Sequence, residues 1–122
     1  MRVLIIEDDV DLSNALRECL LQDGITSDAC YEGDTGSYIG RTNAYDVIVI
    51  DNILPKKTGL EVCRELRRAE VKVPILIMSV HAETETKVKY LENGADDYIA
   101  KPFSVAEFVA RIKALMRRPY EI

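Results

Sequence analysis

The chain has 122 residues, of which 48% are hydrophobic and 30% charged, so it suits one compact domain with a real core and not a disordered segment. The formal net charge of −5 makes its surface a poor sole site for DNA, because affinity for DNA comes largely from neutralised phosphates. The chain has no run of roughly 20 apolar residues and its start turns acidic too soon for a signal peptide, so we expect a cytoplasmic protein that binds no membrane.

Short apolar runs alternate with amphipathic stretches along the chain. In order, the predicted elements are strand 3–6, helix 11–21, strand 25–31, helix 33–42, strand 45–50, helix 58–69, strand 73–78, helix 82–93, strand 97–100 and helix 104–117. The apolarity of 3–6, 45–50 and 73–78 is continuous, which indicates burial on both faces, as in a parallel sheet covered by helices. The runs at 25–31 and 97–100 are weaker, so we place them at the sheet edges.

Several helix boundaries carry sequence signals. Thr58 is a candidate N-cap, and Ser104 begins a Ser-Val-Ala-Glu capping box. The segment 33–42 is the weakest helix prediction, because Gly36 and Gly40 both oppose helix formation. Regular β-α alternation in so short a chain predicts an α/β fold with an open, doubly wound parallel sheet.

Polar side chains follow four of the predicted strands. In chain order they are Glu7, Asp8 and Asp9 after the first strand, Asp51 after the third, Ser79 after the fourth and Lys101 after the fifth. Each alone has an ordinary structural explanation, such as a helix cap or a solvated charge. Ligands of such sheets bind at the carboxyl ends of the strands, however, and all of these residues fall on that edge. The set therefore predicts a functional site.

The chemistry of this set points to phosphoryl transfer. Clustered carboxylates repel one another and need a cation, and for oxygen ligands without His or Cys nearby Mg²⁺ is the natural choice. A carboxylate can also act as a nucleophile and form an aspartyl phosphate. The negative phosphoryl group could be stabilised by Mg²⁺, Lys101, Ser79 and backbone N–H groups after Asp51.

The three cysteines, Cys19, Cys30 and Cys63, are far apart in the sequence and form no C-x-x-C pair. We interpret them as reduced thiols in or near the core. Together with a single histidine, this scattered arrangement argues against a structural zinc site.

The motif set resembles the receiver domain of two-component response regulators. It consists of Glu7-Asp8, Asp51 with Pro55 and Gly59 behind it, Ser79, Tyr98, and the run Lys101-Pro102-Phe103. The resemblance covers the whole chain in order. It implies a flavodoxin-like three-layer sandwich with sheet order 2-1-3-4-5 and five helices. It also implies a signalling switch that catalyses only its own phosphotransfer and slow self-dephosphorylation, and no conventional enzyme.

The resemblance assigns roles around a bound metal ion. Asp51 would be the phosphoacceptor. Asp8 and Asp51 would bind Mg²⁺ directly, together with the main-chain carbonyl of Ile53, whereas Glu7 would act on the metal through water. Asp9 would either add negative charge at the rim or cap the first helix, and the sequence leaves both roles open.

The resemblance also implies a switch. Ser79 and Lys101 would contact the phosphoryl oxygens, and the Lys101–Pro102 peptide is expected to be cis. Ser79 would move toward the phosphoryl group, and Tyr98 would rotate inward to fill the vacated space. Val80 departs from the family, which usually has a smaller residue after the hydroxyl, and we expect it to slow hydrolysis of the acyl phosphate modestly.

The last third of the chain is similar to the subfamily with a winged-helix DNA-binding domain, the OmpR/PhoB type, whose members pair as symmetric dimers when phosphorylated. The implied dimer face comprises Lys87, Val88, Leu91, Asp96, Asp97, Glu107, Ala110, Arg111 and Arg118. Three ion pairs would cross the interface: Lys87 with Glu107, Asp97 with Arg111, and Asp96 with Arg118. The alternative is a solvated helix face with pairs inside one chain, each worth about 0–1 kcal/mol.

These similarities predict the domain organisation and partners. Residues 1–118 would form the receiver domain, and 119–122 would begin a linker to a winged-helix domain outside this chain, through which alone DNA would be bound. A sensor histidine kinase would dock near the first helix, around 14–18. The alternatives are a stand-alone receiver or a phosphorylation-independent interaction module on the same fold, although such modules usually lack one of the acidic pair, the acceptor or the lysine.

Two other classes fit the sequence less well. A haloacid-dehalogenase-type phosphatase also uses an aspartate nucleophile, Mg²⁺, a hydroxyl and a lysine, but it needs an acid two residues after the nucleophile, where this chain has Ile53. A flavodoxin-like electron carrier needs a Ser/Thr/Gly-rich phosphate loop after the first strand, where this chain has Glu-Asp-Asp.

Overall fold

Strands and helices alternate strictly in the computed structural model, which describes residues 1–118. The elements are β1 (Arg2–Ile6), α1 (Val10–Gln22), β2 (Thr26–Cys30), α2 (Gly33–Gly40), β3 (Val47–Asp51), α3 (Gly59–Arg68), β4 (Ile75–Ser79), α4 (Thr84–Glu92), β5 (Asp97–Ala100) and α5 (Val105–Arg117). Each predicted element is present, with ends that differ by no more than two residues. The predicted linker at 119–122 lies outside the described residues. Within 1–118, the helices are too short or too polar to cross a membrane.

The five strands form one parallel sheet in the order β2-β1-β3-β4-β5. The predicted order is confirmed, and the two weaker strands, β2 and β5, lie at the edges. All five residues of β3 and of β4 are buried. Their continuous apolarity is therefore explained by helices on both faces of the sheet.

Alternate residues of β1, β3, β4 and β5 enter two separate hydrophobic clusters, one on each face of the sheet. On one face Ile5 packs with Leu16 of α1 and Phe108 of α5. On the other, Ile6 packs with Leu66 of α3 and with residues of α4 and β5. Each fully buried side chain of this size contributes about 1.5–3 kcal/mol. The two clusters hold the strands rigidly, so the residues at the strand ends have fixed positions.

The weakest predicted helix, α2, forms because its glycines allow close packing. A Cβ atom at Gly36 would lie only 2.6 Å from Cδ1 of Ile6 in the sheet. The Ser37 hydroxyl, also buried, donates to Oε1 of Glu65 on α3 at 2.7 Å. Glycine destabilises a helix by about 1 kcal/mol per residue relative to alanine. Here that loss is offset by close contacts that a larger residue could not make.

The two predicted N-caps are present, but they differ in completeness. Thr58 forms a full capping box, since its hydroxyl accepts from the Glu61 N–H and its own N–H donates to the Glu61 carboxylate. Ser104 accepts from the Glu107 N–H at 3.0 Å. The reciprocal half of the box predicted at Ser104 is not formed, because the Glu107 carboxylate pairs with Arg111 instead.

Candidate functional site

Three carboxylates meet at the carboxyl ends of β1 and β3. Glu7 and Asp8 directly follow β1, and Asp51 is the last residue of β3. The parallel register places Ile6 beside Ile50, so the residues that follow are neighbours. One carboxylate oxygen from each acidic residue lies within 4.8 Å of the others. Glu7 and Asp51 are buried, whereas Asp8 is exposed and opens the cluster to solvent.

Lys101 supplies positive charge to this cluster. Its Nζ lies 2.7 Å from Oε1 of Glu7 and 2.9 Å from Oδ1 of Asp51. The Lys101 N–H donates to the Ser79 carbonyl at 2.7 Å, which ties the end of β5 to the end of β4. The Lys101–Pro102 peptide bond is cis, as predicted. The lysine thus points into the site and is not a solvated charge.

The site holds more negative charge than it can neutralise. Burial raises the pKa of Glu7, and it also raises the pKa of Asp51; the bonds to Lys101 offset this only in part. Burial alone would lower the pKa of Lys101, but its bonds to Glu7 and Asp51 raise it overall. Glu7 and Asp51 therefore share one ammonium group, with Asp8 as a third carboxylate close by, and an additional cation would favour the ionised forms of these groups.

The donor set fits Mg²⁺. All three groups are hard oxygen donors, and the exposed side of Asp8 leaves room for the waters that Mg²⁺ retains. Both oxygens of Glu7 already have partners, because Oε1 binds Lys101 and Oε2 accepts from the Asp9 N–H at 3.0 Å. This arrangement suits the expected role of Glu7, which would act on the metal ion through a water molecule. The expected ligation by the main-chain carbonyl of Ile53 stays a prediction.

Asp9 caps α1. Its carboxylate accepts from the Leu12 N–H at 3.1 Å. Of the two roles that the sequence left open for Asp9, the helix cap is the one observed. The same cap orients the Asp9 N–H toward Glu7.

The two predicted switch residues meet at the backbone of His81, just after β4. Ser79 is buried, and its hydroxyl accepts from the His81 N–H at 3.0 Å. Tyr98 of β5 is buried with its ring inward, and its hydroxyl donates to the His81 carbonyl at 2.5 Å. His81 could not be predicted from the sequence, because its contribution comes from main-chain atoms and any residue type could supply it.

Two of the three ion pairs predicted to cross a dimer interface are formed inside one chain. Arg111 binds both carboxylate oxygens of Asp97, at 3.0 and 3.1 Å, and also pairs with Glu107 one helical turn before it. Arg118 lies 3.6 Å from Oδ1 of Asp96. These contacts match the alternative interpretation, in which the helix face is solvated and its ion pairs form within one chain. They are the contacts of a single copy of the chain.

The apolar part of the implied dimer face is accessible. Val88 and Leu91 of α4 are 43% and 47% exposed, although both are large hydrophobic residues. The Lys87 ammonium lies 5.9 Å from the centre of the Tyr98 ring, which connects this face to the inward switch residue. The α4 surface therefore adjoins the switch directly.

The family model described as "Response regulator receiver domain" matches residues 3–113. This chain belongs to the response regulator receiver family. It is 43% identical over 116 residues to the response regulator ArlR of Staphylococcus haemolyticus, and 42% identical over 120 residues to the transcriptional regulatory protein QseB of Haemophilus influenzae. These matches cover 95% and 98% of this chain and agree with the resemblance to OmpR/PhoB-type regulators. The receiver chain spans about half the length of these relatives, 52% and 54%.

Solved structures agree with this family assignment. The receiver domain of the Francisella response regulator 1452 is 33% identical, with a TM-score of 0.92, and the match covers 96% of this chain and 97% of that one. The receiver domain of the sensor histidine kinase PA1611 from Pseudomonas aeruginosa is 26% identical, with a TM-score of 0.87 and coverage of 96% and 98%. The latter structure has a magnesium ion coordinated in its active-site cleft.

Proposed function

We propose that this receiver domain is a phosphorylation-dependent switch in which Asp51 accepts a phosphoryl group from a sensor histidine kinase in the presence of Mg²⁺. One observation carries the proposal: Asp51 lies with Asp8 and Glu7 in a cluster of carboxylates, and its Oδ1 is 2.9 Å from the Lys101 ammonium. The predicted cytoplasmic location suits such a kinase partner and stays a prediction.

The residues of the site divide the transfer among them. An Asp51 oxygen attacks phosphorus, a P–O bond to Asp51 forms, and the bond to the donor atom breaks, with its electron pair leaving on the donor. Lys101 then faces the new phosphoryl oxygens from its position beside Asp51, and the Ser79 hydroxyl can donate to them after leaving the His81 N–H. Bound Mg²⁺, held by Asp8 and Asp51, would neutralise charge on the phosphoryl group.

The site suits a lasting signal better than repeated turnover. The position two residues after Asp51 is Ile53, whose side chain is 61% exposed and carries no acid. A general acid or base contributes typically 10²–10⁴-fold to such reactions. Without one at this position, hydrolysis of the acyl phosphate is slow, and the phosphorylated state persists long enough for a partner to read it.

The output proposed for this switch is dimerisation through α4, β5 and α5. Arg111 would give up its ion pair with Asp97 of its own chain and pair with Asp97 of a second copy. Val88 and Leu91 would supply the apolar centre of the interface. Transcription would then be controlled by a DNA-binding domain outside this chain. Relatives named as transcriptional regulatory proteins support this proposal, as they extend well beyond the matched region.

Chemical phosphorylation tests the site. With Mg²⁺ and acetyl phosphate, the chain should gain the mass of one phosphoryl group in an acid-stable, base-labile linkage, and EDTA should prevent the gain. Asp51→Asn should abolish it, whereas Asp34→Asn, at an exposed position on α2, should leave it unchanged. A label that persists in the Asp51→Asn variant would refute the site, and no gain in the wild type would favour a phosphorylation-independent module.

Sizing tests the output face. Beryllofluoride with Mg²⁺, used as a stable mimic of the phosphoryl group, should convert the chain from monomer to dimer. Leu91→Asp should prevent this conversion, and Leu21→Asp, at a position 62% exposed on α1, should not. If Leu91→Asp dimerises like the wild type, the face has been assigned wrongly. A wild type that binds beryllofluoride but stays monomeric would favour the stand-alone receiver.

A further inference from the structure

Tyr90 anchors α4 beside the phosphoacceptor. Among the nine α4 residues, all within the described part of the chain, it is the buried one, at 2% exposure. Its hydroxyl donates to Oδ1 of Asn52, the residue that directly follows Asp51. Burial raises the pKa of Tyr90, so the hydroxyl stays protonated and remains a donor. A single side chain thus connects α4 to the turn that leaves the site.

The other groups of Asn52 are fixed as well. Its N–H donates to the Met78 carbonyl of β4 at 2.9 Å, and its carbonyl accepts from the Gly59 N–H of α3 at 3.0 Å. A Cβ atom at Gly59 would lie 2.4 Å from the Asp51 carbonyl oxygen and 3.0 Å from the Tyr90 hydroxyl. This junction has no spare space, so a shift of Asn52 is passed to its neighbours and not absorbed in the loop.

Tyr90 also touches the switch aromatic. Its ring centre is 5.9 Å from that of Tyr98, at an interplanar angle of 55°. Two connections from the site therefore meet at α4. One runs from Ser79 through the His81 backbone to Tyr98, and the other runs from Asp51 through Asn52 to Tyr90.

Apart from Tyr90, α4 is held at its C-terminal end, where the C-cap residue Asn93 accepts hydrogen bonds from Cys63 and Arg64 of α3. The N-cap residue of α4, Glu83, makes no side-chain capping bond, and Val88 and Leu91 face solvent. A helix with so small a buried surface takes its position from its few anchors. The Tyr90–Asn52 hydrogen bond is one of these, and it is made with the residue next to the group that changes on phosphorylation.

We propose that Tyr90 is a positioning residue that transmits the state of Asp51 to the α4 surface through Asn52, on a route separate from Ser79 and Tyr98. The inference rests on the proposed function, because it requires that Asp51 be modified. It adds a second route by which one event at the site changes the surface of α4.

Hydrogen exchange measures this transmission. With Mg²⁺ and beryllofluoride, we expect amide exchange to change both in the turn at 52–58 and in α4 of the wild type, with the α4 rates shifted about fivefold or more, the lower end of ordinary coupling between sites. In Tyr90→Phe the turn should still respond, while the response of α4 falls to the part that Ser79 and Tyr98 carry. Tyr38→Phe removes a hydroxyl that is far more exposed, on α2, and should behave as wild type.

A double variant separates positioning from packing. Tyr90→Phe alone leaves Oδ1 of the half-buried Asn52 without its donor, whereas Asn52→Leu with Tyr90→Phe removes donor and acceptor together. The double variant should regain resistance to urea but not the full α4 response. Recovery of both properties would overturn the proposal, as would an unchanged α4 response in Tyr90→Phe. A wild type whose turn at 52–58 ignores Mg²⁺ and beryllofluoride would overturn the proposed function and this inference with it.

Discussion

The two ends of the sheet both hold paired charges, but they differ in how completely those charges are satisfied. At the amino ends of β4 and β5, Arg67 donates to Asp96 at 2.9 Å and to three main-chain carbonyl oxygens at 2.7–2.9 Å. Asp96 also accepts from the Ile75 N–H at 2.9 Å. Each group in this network has a partner, so the network closes the fold and requires no ligand.

At the carboxyl ends the balance is different. Glu7 and Asp51 share the ammonium of Lys101, Asp8 adds a third carboxylate to the cluster, and burial raises the pKa of Glu7 and of Asp51. The comparison shows that a salt bridge alone does not identify a functional site. The useful signal is an excess of one charge in a place with reduced hydration, because a ligand or cation must then supply the missing interaction.

The largest effect is expected where the carboxylate cluster at the carboxyl ends of the strands loses the Lys101 ammonium. In Lys101→Ala, positive charge no longer faces the transferred phosphoryl group, so phosphorylation of Asp51 by acetyl phosphate should slow by about 100-fold or more, as when one electrostatic contact to a transition state is lost. The initial rate of mass gain with saturating Mg²⁺ measures this. Lys113→Ala, at an exposed position on α5, is the control. A Lys101→Ala rate equal to that of the control would contradict the role of Lys101.

At the amino ends of β4 and β5, where the charges are paired, we expect a change in stability and not in phosphorylation of Asp51. Arg67→Met leaves Asp96 and three carbonyl oxygens without their donor, and the free energy of unfolding should fall by about 2–3 kcal/mol. Arg67→Lys keeps the charge but cannot reproduce the forked geometry, so its stability should lie in between. Urea denaturation measures both variants against Arg68→Met, which changes an exposed neighbour. Equal stability of the Arg67→Met and Arg68→Met variants would show that the network contributes little.

Removal of Mg²⁺ should reveal the charge excess as a pH dependence of stability. The pKa of Asp51 is raised above its ordinary value of 3.8, and that of Glu7 above 4.5, chiefly by burial. A raised folded-state pKa means that the stabilising contribution is complete below those ordinary values and is lost as pH rises through the folded-state pKa. Lys101 stays charged over this range, since its pKa is raised. In EDTA, the free energy of unfolding should therefore decrease over that interval.

Asp51→Asn isolates this contribution. Without Mg²⁺ at pH 7, the variant should be more stable than the wild type, because burial disfavours the charged form of Asp51 and raises its pKa. The advantage should shrink as the pH falls and Asp51 of the wild type takes up a proton, and it should also shrink when Mg²⁺ is added. Thermal or urea unfolding at several pH values supplies the curves. A wild type that is the more stable protein in EDTA at pH 7 would contradict the charge excess.

Much of the fold was predictable because its signals are local. The continuous apolar runs indicated buried central strands, and the weaker runs indicated the edges. Glu7, Asp51 and Lys101 were found because each lies at the carboxyl end of a strand, and parallel strands bring these ends together. The helix α2 was harder to predict, because its glycines oppose helix formation. The close packing of Gly36 against Ile6, which favours the helix, cannot be read from the sequence.

The contacts that the sequence did not reveal are made by side chains between distant positions. Tyr90 bonds Asn52 across 38 positions, and Arg67 reaches Asp96 across 29. Neither pair has a spacing that periodicity can detect. The sequence placed Asp96 at a dimer interface. In the structure one of its carboxylate oxygens instead accepts from Arg67 and from the Ile75 N–H inside the chain.

The smallest expected effect concerns the access of water to the carboxylate cluster at the carboxyl ends of the strands. Val80 follows Ser79, is 61% exposed, and with Leu12 and Phe103 lines a cavity of about 380 Å³ beside Lys101. Val80→Ala removes two methyl groups from this rim, so water should reach the acyl phosphate more easily. Dephosphorylation should accelerate about threefold, which corresponds to ~0.65 kcal/mol of activation free energy.

The decay of phosphorylated protein after removal of acetyl phosphate measures the Val80→Ala effect, with Val105→Ala as a control at a valine that is 41% exposed on α5. If both variants decay at the wild-type rate, Val80 does not limit the approach of water. The lifetime of the phosphorylated state would then have to be set by the chemistry of attack. Ile53, which occupies the position where a phosphatase would carry its acid, would remain as the reason that the signal persists.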